Sequence, residues 1–500
     1  MQALWKPYSL HGLLIARRLI YTSQRMERTY SDAVAALNTL QSNYAVVNAI
    51  RASGRSLNKQ SIPEMIEWCR KIGYEPSDFN SLRPIHIAGT KGKGSTSAFI
   101  SSILAQYLPS VSQPNPVIQK VGLYISPHLR FVRERIQINN QPLSEEDFAE
   151  FFFQTWDRLE DAARSAGQPT DTTAKPVYFR FLTLMAFHAY MTEGVDTAII
   201  ECGIGGEYDS TNILVSPTVS GITSLGIDHT AMLGNTIEEI AWHKAGIMKP
   251  QAPAYTVLQP PGAMEVLQQR AANLGVQLHV VPIHPELHTI KLGLAADFQK
   301  TNASLAIQIA AAHLRALGHK ALTTEPLPLE FKRGLEQVHW PGRCETRREK
   351  GIAWHLDGGH TLESIRLAAT WFASQIPPLP PSPSPAANPA QRKRVLLFNQ
   401  QTRDASALAL ALHATLAAAL ADEQPFSHAV FCSNVTFKER GYKPDLVSMN
   451  TSEDEVGGLG VQWGLKRTWE GVDGRTVVVV KGTVEEAVGW IFVVGCRGRA

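Results

Sequence analysis

Between about Tyr30 and Glu336, short β-branched and apolar runs alternate with longer stretches whose apolar residues recur at helical spacing. Val195–Ile200 and Pro217–Thr223 are runs of the first kind, and Ser97–Leu104 is one of the second. This alternation predicts an α/β domain with a mainly parallel sheet, because parallel neighbours need a helical crossover between them. After Trp340-Pro341-Gly342-Arg343 a new set begins: Ile352–Asp357, a helix containing Trp371 and Phe372, then Arg394–Asn399. That set predicts a second, smaller α/β domain. Pro377–Pro385 cannot pack as helix or sheet, since proline removes a donor and fixes φ, and the segment 377–390 reads as an exposed insertion inside the second domain. The division expected is therefore 1–25, 26–336 and 337–500.

Composition narrows the class. A chain of 500 residues exceeds what one core supports, and 44% hydrophobic with 19% charged residues is ordinary globular material. The net charge of +3 comes from dispersed Lys and Arg, which leaves no electrostatic footprint for a nucleic acid. No apolar run reaches the ~18–20 residues a membrane span needs. The five cysteines are far apart and read as reduced thiols. His284 and His288 share helical spacing, but Pro285 between them points to a solvated loop. The first 25 residues are basic and free of acids, and Leu10–Ile20 has the pattern of a basic amphipathic helix, as in mitochondrial transit segments. Met26 offers a second start, so mitochondrial and cytoplasmic forms are both expected.

The strongest local signal is Ile85–Thr96. A β-branched run ends in Gly89-Thr90-Lys91-Gly92-Lys93-Gly94-Ser95, which feeds a helix. Strand, glycine loop and helix N-terminus form an anion cradle, because glycines let backbone N–H groups face a phosphate and the helix dipole favours its charge. Lys93 adds a cation at the outer phosphates and Ser95 a hydroxyl near a metal ion. Glu201 closes an apolar strand, where α/β folds place ligands, and its carboxylate suits Mg²⁺, a hard cation.

In the general phosphate loop Ser or Thr follows the lysine directly, whereas here Gly94 intervenes. The form G-T-K-G-K-G-S resembles that of ATP-dependent amide ligases of the Mur ligase superfamily. Gly122–Leu129 with Arg133–Ile136 and Ile138-Asn139 resembles the folate loop of the folylpolyglutamate synthases within it. Pro176–His188, Glu201–Asn212, Leu225–Thr230, Ala241–Ile247 and Leu356–Thr361 follow in that family's order. Arg180 fits its eukaryotic members better than bacterial ones.

The resemblance implies a P-loop Mur-ligase-like central domain, a smaller α/β C-terminal domain, and addition of L-glutamate to the γ-carboxylate of tetrahydrofolate polyglutamates through an acyl phosphate. It implies ATP contacts from Gly89, Thr90, Gly92, Lys93, Gly94, Ser95, Gln299, Asn302, Arg343 and Asp357. Magnesium ligands would be Ser126, Glu201 and His229, and folate contacts Ser126, Pro127, His128, Leu129 and Arg135. Lys93, Lys244, His229 and His360 would serve catalysis, with Lys244 carbamylated as in the family. A monovalent cation such as K⁺ and a monomeric state belong to the same expectation. Since these groups lie on both domains, closure of one on the other is expected to expel water.

Three departures stand out. The family's H-Q-x-x-N reads Phe298-Gln299-x-x-Asn302, its D-G-A-H reads Asp357-Gly358-Gly359-His360, and its closing strand T-G-S-x-H-L-V-G has no counterpart in Phe492–Ala500. The last leads us to expect an unpaired edge on the second domain's sheet. Rival readings are a dihydrofolate synthase, a cell-wall Mur ligase, and a catalytically impaired folate- or nucleotide-binding homologue.

Overall fold

The computed structural model describes residues 28–41, 60–109, 117–376, 393–401, 404–438 and 458–496. The transit segment expected at 1–25 and the proline-rich insertion lie outside these residues.

The first domain is built on an eight-stranded sheet. Its strands are β1 (Ile85–Ala88), β2 (Val121–Tyr124), β3 (Ile136–Ile138), β4 (Gln141–Pro142), β5 (Thr197–Glu201), β6 (Val219–Ile222), β7 (Ala254–Val257) and β8 (Leu278–Val281). The order is β4-β3-β2-β5-β1-β6-β7-β8. From β2 to β8 every neighbouring pair is parallel, as the alternation predicted. β3 and β4 extend the edge antiparallel, joined by Asn139 and Asn140, both in the left-handed region at φ 51° and 62°. Such a two-residue turn matches the strand twist and suits asparagine.

Five helices matter for the site: α1 (Lys93–Ala105), α2 (Tyr178–Glu193), α3 (Ile237–Ala245), α4 (Gln299–Ala316) and α5 (Leu362–Ser374). Both sheet faces are covered. Ile199 of β5 enters the core formed with α1 and α4, while Ala198 and Ile200 enter the aromatic core of α2 and the helix Glu145–Ser165. Burial on both faces explains the continuous apolar run of β5. α1 is buried along its length from Ser95 to Leu104, and its small residues admit a neighbour: the helix Leu329–Gln337 comes so close that a Cβ on Gly334 would lie 2.6 Å from Ile103 Cα.

In the second domain β11 (Val395–Phe398), β12 (His428–Cys432) and β13 (Val477–Lys481) form a parallel sheet, following the hairpin of β9 (Glu345–Glu349) and β10 (Ile352–Leu356). The expected strand Ile352–Asp357 thus pairs locally rather than joining the parallel sheet. Lys350 at φ 48° and Gly351 at φ 77° close that hairpin. Among the described residues β13 has β12 as its one strand partner. Cys69, Cys202, Cys344 and Cys432 are free and buried. His284 departs from expectation. It is buried, its Nε2 lies 2.9 Å from the Thr324 carbonyl, and its Nδ1 accepts the Glu286 amide, so it caps a short helical turn instead of standing in solvent. No helix among the described residues is long and apolar enough to cross a membrane.

Candidate active site

The site forms where the strand order reverses, at the carboxyl ends of β1, β5 and β6, the position at which open α/β sheets hold ligands. Ile87 stands opposite Glu201, and Ala88 opposite Ile222. The loop after β1 needs its glycines. Gly89 has φ +148°, and a Cβ there would sit 1.8 Å from Thr223 Oγ1; Gly92 has φ +86°, and a Cβ would sit 2.2 Å from Asn302 Oδ1. Both conformations and both contacts exclude a side chain. The amides of Thr90 and Lys91 donate to the Ser224 carbonyl at 3.0 Å, and Thr90 Oγ1 exchanges bonds with the Gly226 backbone at 3.1 Å.

Gly92 is the N-cap of α1 and no side chain caps that end, so its first amides are free for an anion. Gly94, the extra residue of this loop type, has a local reason: a Cβ there would meet the Trp340 indole nitrogen at 3.2 Å. Ser95 Oγ accepts from Gln299 Nε2 at 3.3 Å, and Asn302 Nδ2 donates to Gln299 Oε1 at 2.8 Å. The expected nucleotide residues Gln299 and Asn302 therefore buttress the loop from the start of α4.

Lys93 and Lys244 converge. Lys93 Nζ donates to the Gly89 carbonyl at 3.1 Å, and Lys244 Nζ, from the last turn of α3, donates to the same oxygen at 2.8 Å. Lys244 is buried, and burial followed by the Lys93 charge brings its amine down to about 7. Glu201 is also buried, and its Oε2 has no hydrogen-bond partner. Burial pushes its carboxyl up to about 7, against the pull of Lys93, the Ser126 amide, Arg343 and Arg135. An orphaned buried carboxylate oxygen beside a serine fits a hard cation. His229, the third expected ligand, is exposed at φ 51°, with its amide on Asp228 Oδ1 at 2.8 Å and its ring nitrogen 4.0 Å from Asp228 Oδ2. Among the described residues no three His, Cys, Asp or Glu side chains cluster as a metal set.

The Ser126–Leu129 loop, with a cis Ser126–Pro127 bond, is fastened by Glu134, whose carboxylate accepts the amides of Leu129, Arg130 and Phe131 at 2.9, 3.1 and 3.0 Å. Arg135 Nε donates to His128 Nδ1 at 2.9 Å; burial and that charge lower His128 to about 4. His128 is thus a neutral acceptor. Leu129 is largely exposed and faces Gly342 of the linker, 3.2 Å from where a Cβ would be.

From the second domain, Gly358 N donates to Gly342 O at 3.0 Å, folding the Asp357–His360 turn onto the Trp340–Arg343 segment. Asp357 accepts the amides of Cys344 and Gly359 at 2.9 and 2.8 Å, Arg343 Nη1 donates to Gly342 O at 3.1 Å, and His360 Nδ1 lies 3.0 Å from Gly358 O. Arg343, Asp357 and His360 are therefore tied together through the Gly342–Gly358 backbone. Phe298 packs with Ala296, Cys344, Trp371 and Phe372 in an apolar cluster between the domains. Arg180 is engaged elsewhere, paired with Glu64 and with Ser61 Oγ at 3.0 Å. Sequence reasoning did not find Trp340, Glu134 or Ser224; the acid of Arg133-Glu134-Arg135, placed just after a proline loop, was the one available sign.

No family model matches the chain. The chain is 45% identical over 469 residues to the folylpolyglutamate synthase of Saccharomyces cerevisiae strain YJM789, an alignment covering 92% of this chain and 82% of that one, and equally so to that of strain S288c. Among solved structures it is similar to an FPGS–AMPPCP complex, with TM-score 0.60 at 23% identity over 93% of this chain and 100% of that one. It is similar too to Mycobacterium tuberculosis folylpolyglutamate synthase complexed with ADP and AMPPCP, with TM-score 0.59 at 22% identity over 93% and 99% of the two chains. At such identity these structures speak for the fold.

Proposed function

The chain belongs to the folylpolyglutamate synthase family, and from the geometry of its site we propose that it lengthens the glutamate tail of tetrahydrofolate through an acyl phosphate. It is an ATP-dependent ligase that adds glutamate to folate substrates. The observation that carries the finer reading is the meeting of Lys93, Lys244 and the Gly89 loop with the buried Glu201 at one end of the sheet.

A carboxylate is a poor electrophile. In the first step an oxygen of the folate's γ-carboxylate attacks the γ-phosphorus of ATP, and ADP leaves. In the second, the glutamate amine attacks the acyl carbon, loses a proton, and inorganic phosphate leaves. Bringing two anions together requires fixed positive charge and positioning. The loop amides and the α1 N-terminus hold the β- and γ-phosphates. Lys93 swings from the Gly89 carbonyl to the γ-phosphate, Arg343 reaches the phosphates from the second domain, and the Ser126–Leu129 loop with Arg135 holds the folate. Glu201 and Ser126, with His229, would hold Mg²⁺, which when bound neutralises phosphate charge. K⁺ belongs to the proposal without an assigned residue. Lys244, buried with its basicity lowered, is suited to carbamylation, since the neutral amine is the form that takes up CO₂. The Asp357–His360 turn closes over the loop and shields the acyl phosphate from water.

The same proposal includes a monomer, a mitochondrial form addressed by residues 1–25 and a cytoplasmic form from Met26. The test is glutamate-dependent phosphate release by purified protein with tetrahydrofolate or with dihydropteroate, with Lys93→Ala as control. Turnover on tetrahydrofolate supports the reading. Activity on dihydropteroate alone makes it a dihydrofolate synthase, and ATP binding without ADP formation an impaired homologue.

A further inference from the structure

The linker Trp340–Arg343 and the apolar cluster around Phe298 join the two domains. One charge contact is added to them. Among the described residues, Lys91 with Glu363 is the single ion pair that crosses between the domains. Its place is specific. Lys91 lies inside the phosphate loop between Gly89 and Gly92, with its amide bonded to the Ser224 carbonyl at 3.0 Å, so the backbone from which it projects is fixed. Glu363 lies in the first turn of α5, three residues after His360, and the N-cap Thr361 fastens that turn by accepting the Ser364 amide. Beneath the pair runs Gly226, where a Cβ would be 3.9 Å from Lys91 Nζ and 4.0 Å from Glu363 Oε2.

The loop's two lysines therefore face different ways. Lys93 turns inward to the Gly89 carbonyl and Lys91 outward to the second domain. The Glu363 side chain is 68% exposed, against 25% for Lys91. An exposed pair is weak and salt-sensitive, which suits a contact made and broken at each turnover. We propose that Lys91 and Glu363 are a positioning pair: they set the Asp357–His360 turn over the phosphate loop, so that closure of the second domain depends on them. The proposal rests on the reading of the loop as the nucleotide site. It gives Lys91 a role through Glu363 and not through the phosphates.

Lys91→Met, Glu363→Gln, the double variant and Lys91→Arg are compared in the full chain for kcat, ATP KM and the effect of added tetramethylammonium chloride at fixed KCl, with thermal unfolding as a check on folding. Each charge-removing single variant is expected to lower kcat about two- to fivefold, the range that an exposed ion pair supports. ATP KM should change little, the double variant should be no slower than the slower single, and Lys91→Arg should keep most of the rate. At fixed KCl, added tetramethylammonium chloride should slow the wild type relative to Glu363→Gln. Small-angle scattering with AMPPCP reads the same pair without turnover, with less compaction expected in Glu363→Gln than in the wild type. A Glu363→Gln enzyme with wild-type kcat and compaction overturns the proposal. So does a Lys91→Met enzyme whose ATP KM rises steeply and whose loss adds to that of Glu363→Gln. Failure of the wild type to bind AMPPCP overturns the nucleotide reading itself, and the proposal with it.

Discussion

Lys93 and Lys244 share one acceptor: the Gly89 carbonyl oxygen lies 3.1 Å from the first ammonium and 2.8 Å from the second. Burial is the main reason that the Lys244 amine falls to about 7, and the Lys93 charge, repelling a second cation on the same neutral oxygen, lowers it further. The coupling is checkable. Lys93→Ala should move the titration of Lys244 upward, read from the pH dependence of its reaction with an amine-selective reagent; an unmoved midpoint would show that burial alone sets it.

Stability should carry the same signature. The unfolded chain keeps the Lys244 proton up to about pH 10.5, whereas the folded chain releases it near 7. In that window the unfolded state binds more protons, so the stability of wild type relative to Lys244→Met should rise with pH, by at most about 1.4 kcal/mol per pH unit. Urea unfolding of both proteins at pH 7 and 9.5 tests this, and a gap that shrinks or stays constant contradicts it.

Removing Lys93 should cost catalysis more than folding. Its side chain is half-buried and bonds one backbone oxygen, so we expect Lys93→Ala to unfold near the wild-type temperature while turnover falls about 100- to 1000-fold, the usual loss for one fixed charge at a reacting group. A large drop in melting temperature would make it a structural residue instead.

Gly92→Ala should behave differently. The φ of +86° and the Asn302 oxygen 2.2 Å from the added methyl oppose it together. We expect a loss of about 1–3 kcal/mol and weakened nucleotide binding by calorimetry. Wild-type affinity would mean that the loop relaxes without consequence.

Phe298 stands where the family has histidine, and its half-buried ring packs between the domains with Trp371 and Phe372. Phe298→Ala should cost about 2 kcal/mol, less than a fully buried phenylalanine. It should also separate the unfolding of the two domains in scanning calorimetry. A single unshifted transition would remove the cluster from the joint.

Acid should destabilise the fold through buried histidines. Burial lowers His188 and His313 to about 3, while the unfolded chain takes protons near 6.5. The unfolded state binds more protons between these values, so stability falls as pH drops from 6.5 towards 3. His313, whose ring nitrogens lie 3.2 Å from Thr197 Oγ1 and 2.7 Å from Thr218 Oγ1, offers the clean probe: His313→Gln should flatten the decline in chemical unfolding between pH 6.5 and 5.

Much of this protein is written in short-range pattern. The strand ending at Ala88, the glycine loop and the helix beginning at Lys93 follow from β-branched residues, glycines and helical spacing within a dozen positions. Glu201 at the end of an apolar strand is legible in the same way, as are the parallel sheet and the second α/β unit. His284 was misread because only burial by remote segments distinguishes a capping histidine from a solvated one. The strand at Ile352 was legible, but not its antiparallel pairing with β9, because periodicity gives a strand and not its partner.

What the tertiary structure alone decided is which distant groups share a neighbour. The carbonyl between Lys93 and Lys244, the orphaned oxygen of Glu201, the indole packed close against Gly94, and the Lys91–Glu363 contact all depend on residues far apart in the chain. Sequence pattern reports each segment's own preferences, whereas basicity, desolvation and domain contact arise from the summed fields and packing of segments brought together only by the fold. The chain by itself determined that a phosphate loop exists and which residue types attend it; the fold determined what charge those residues carry and which domain each one answers to.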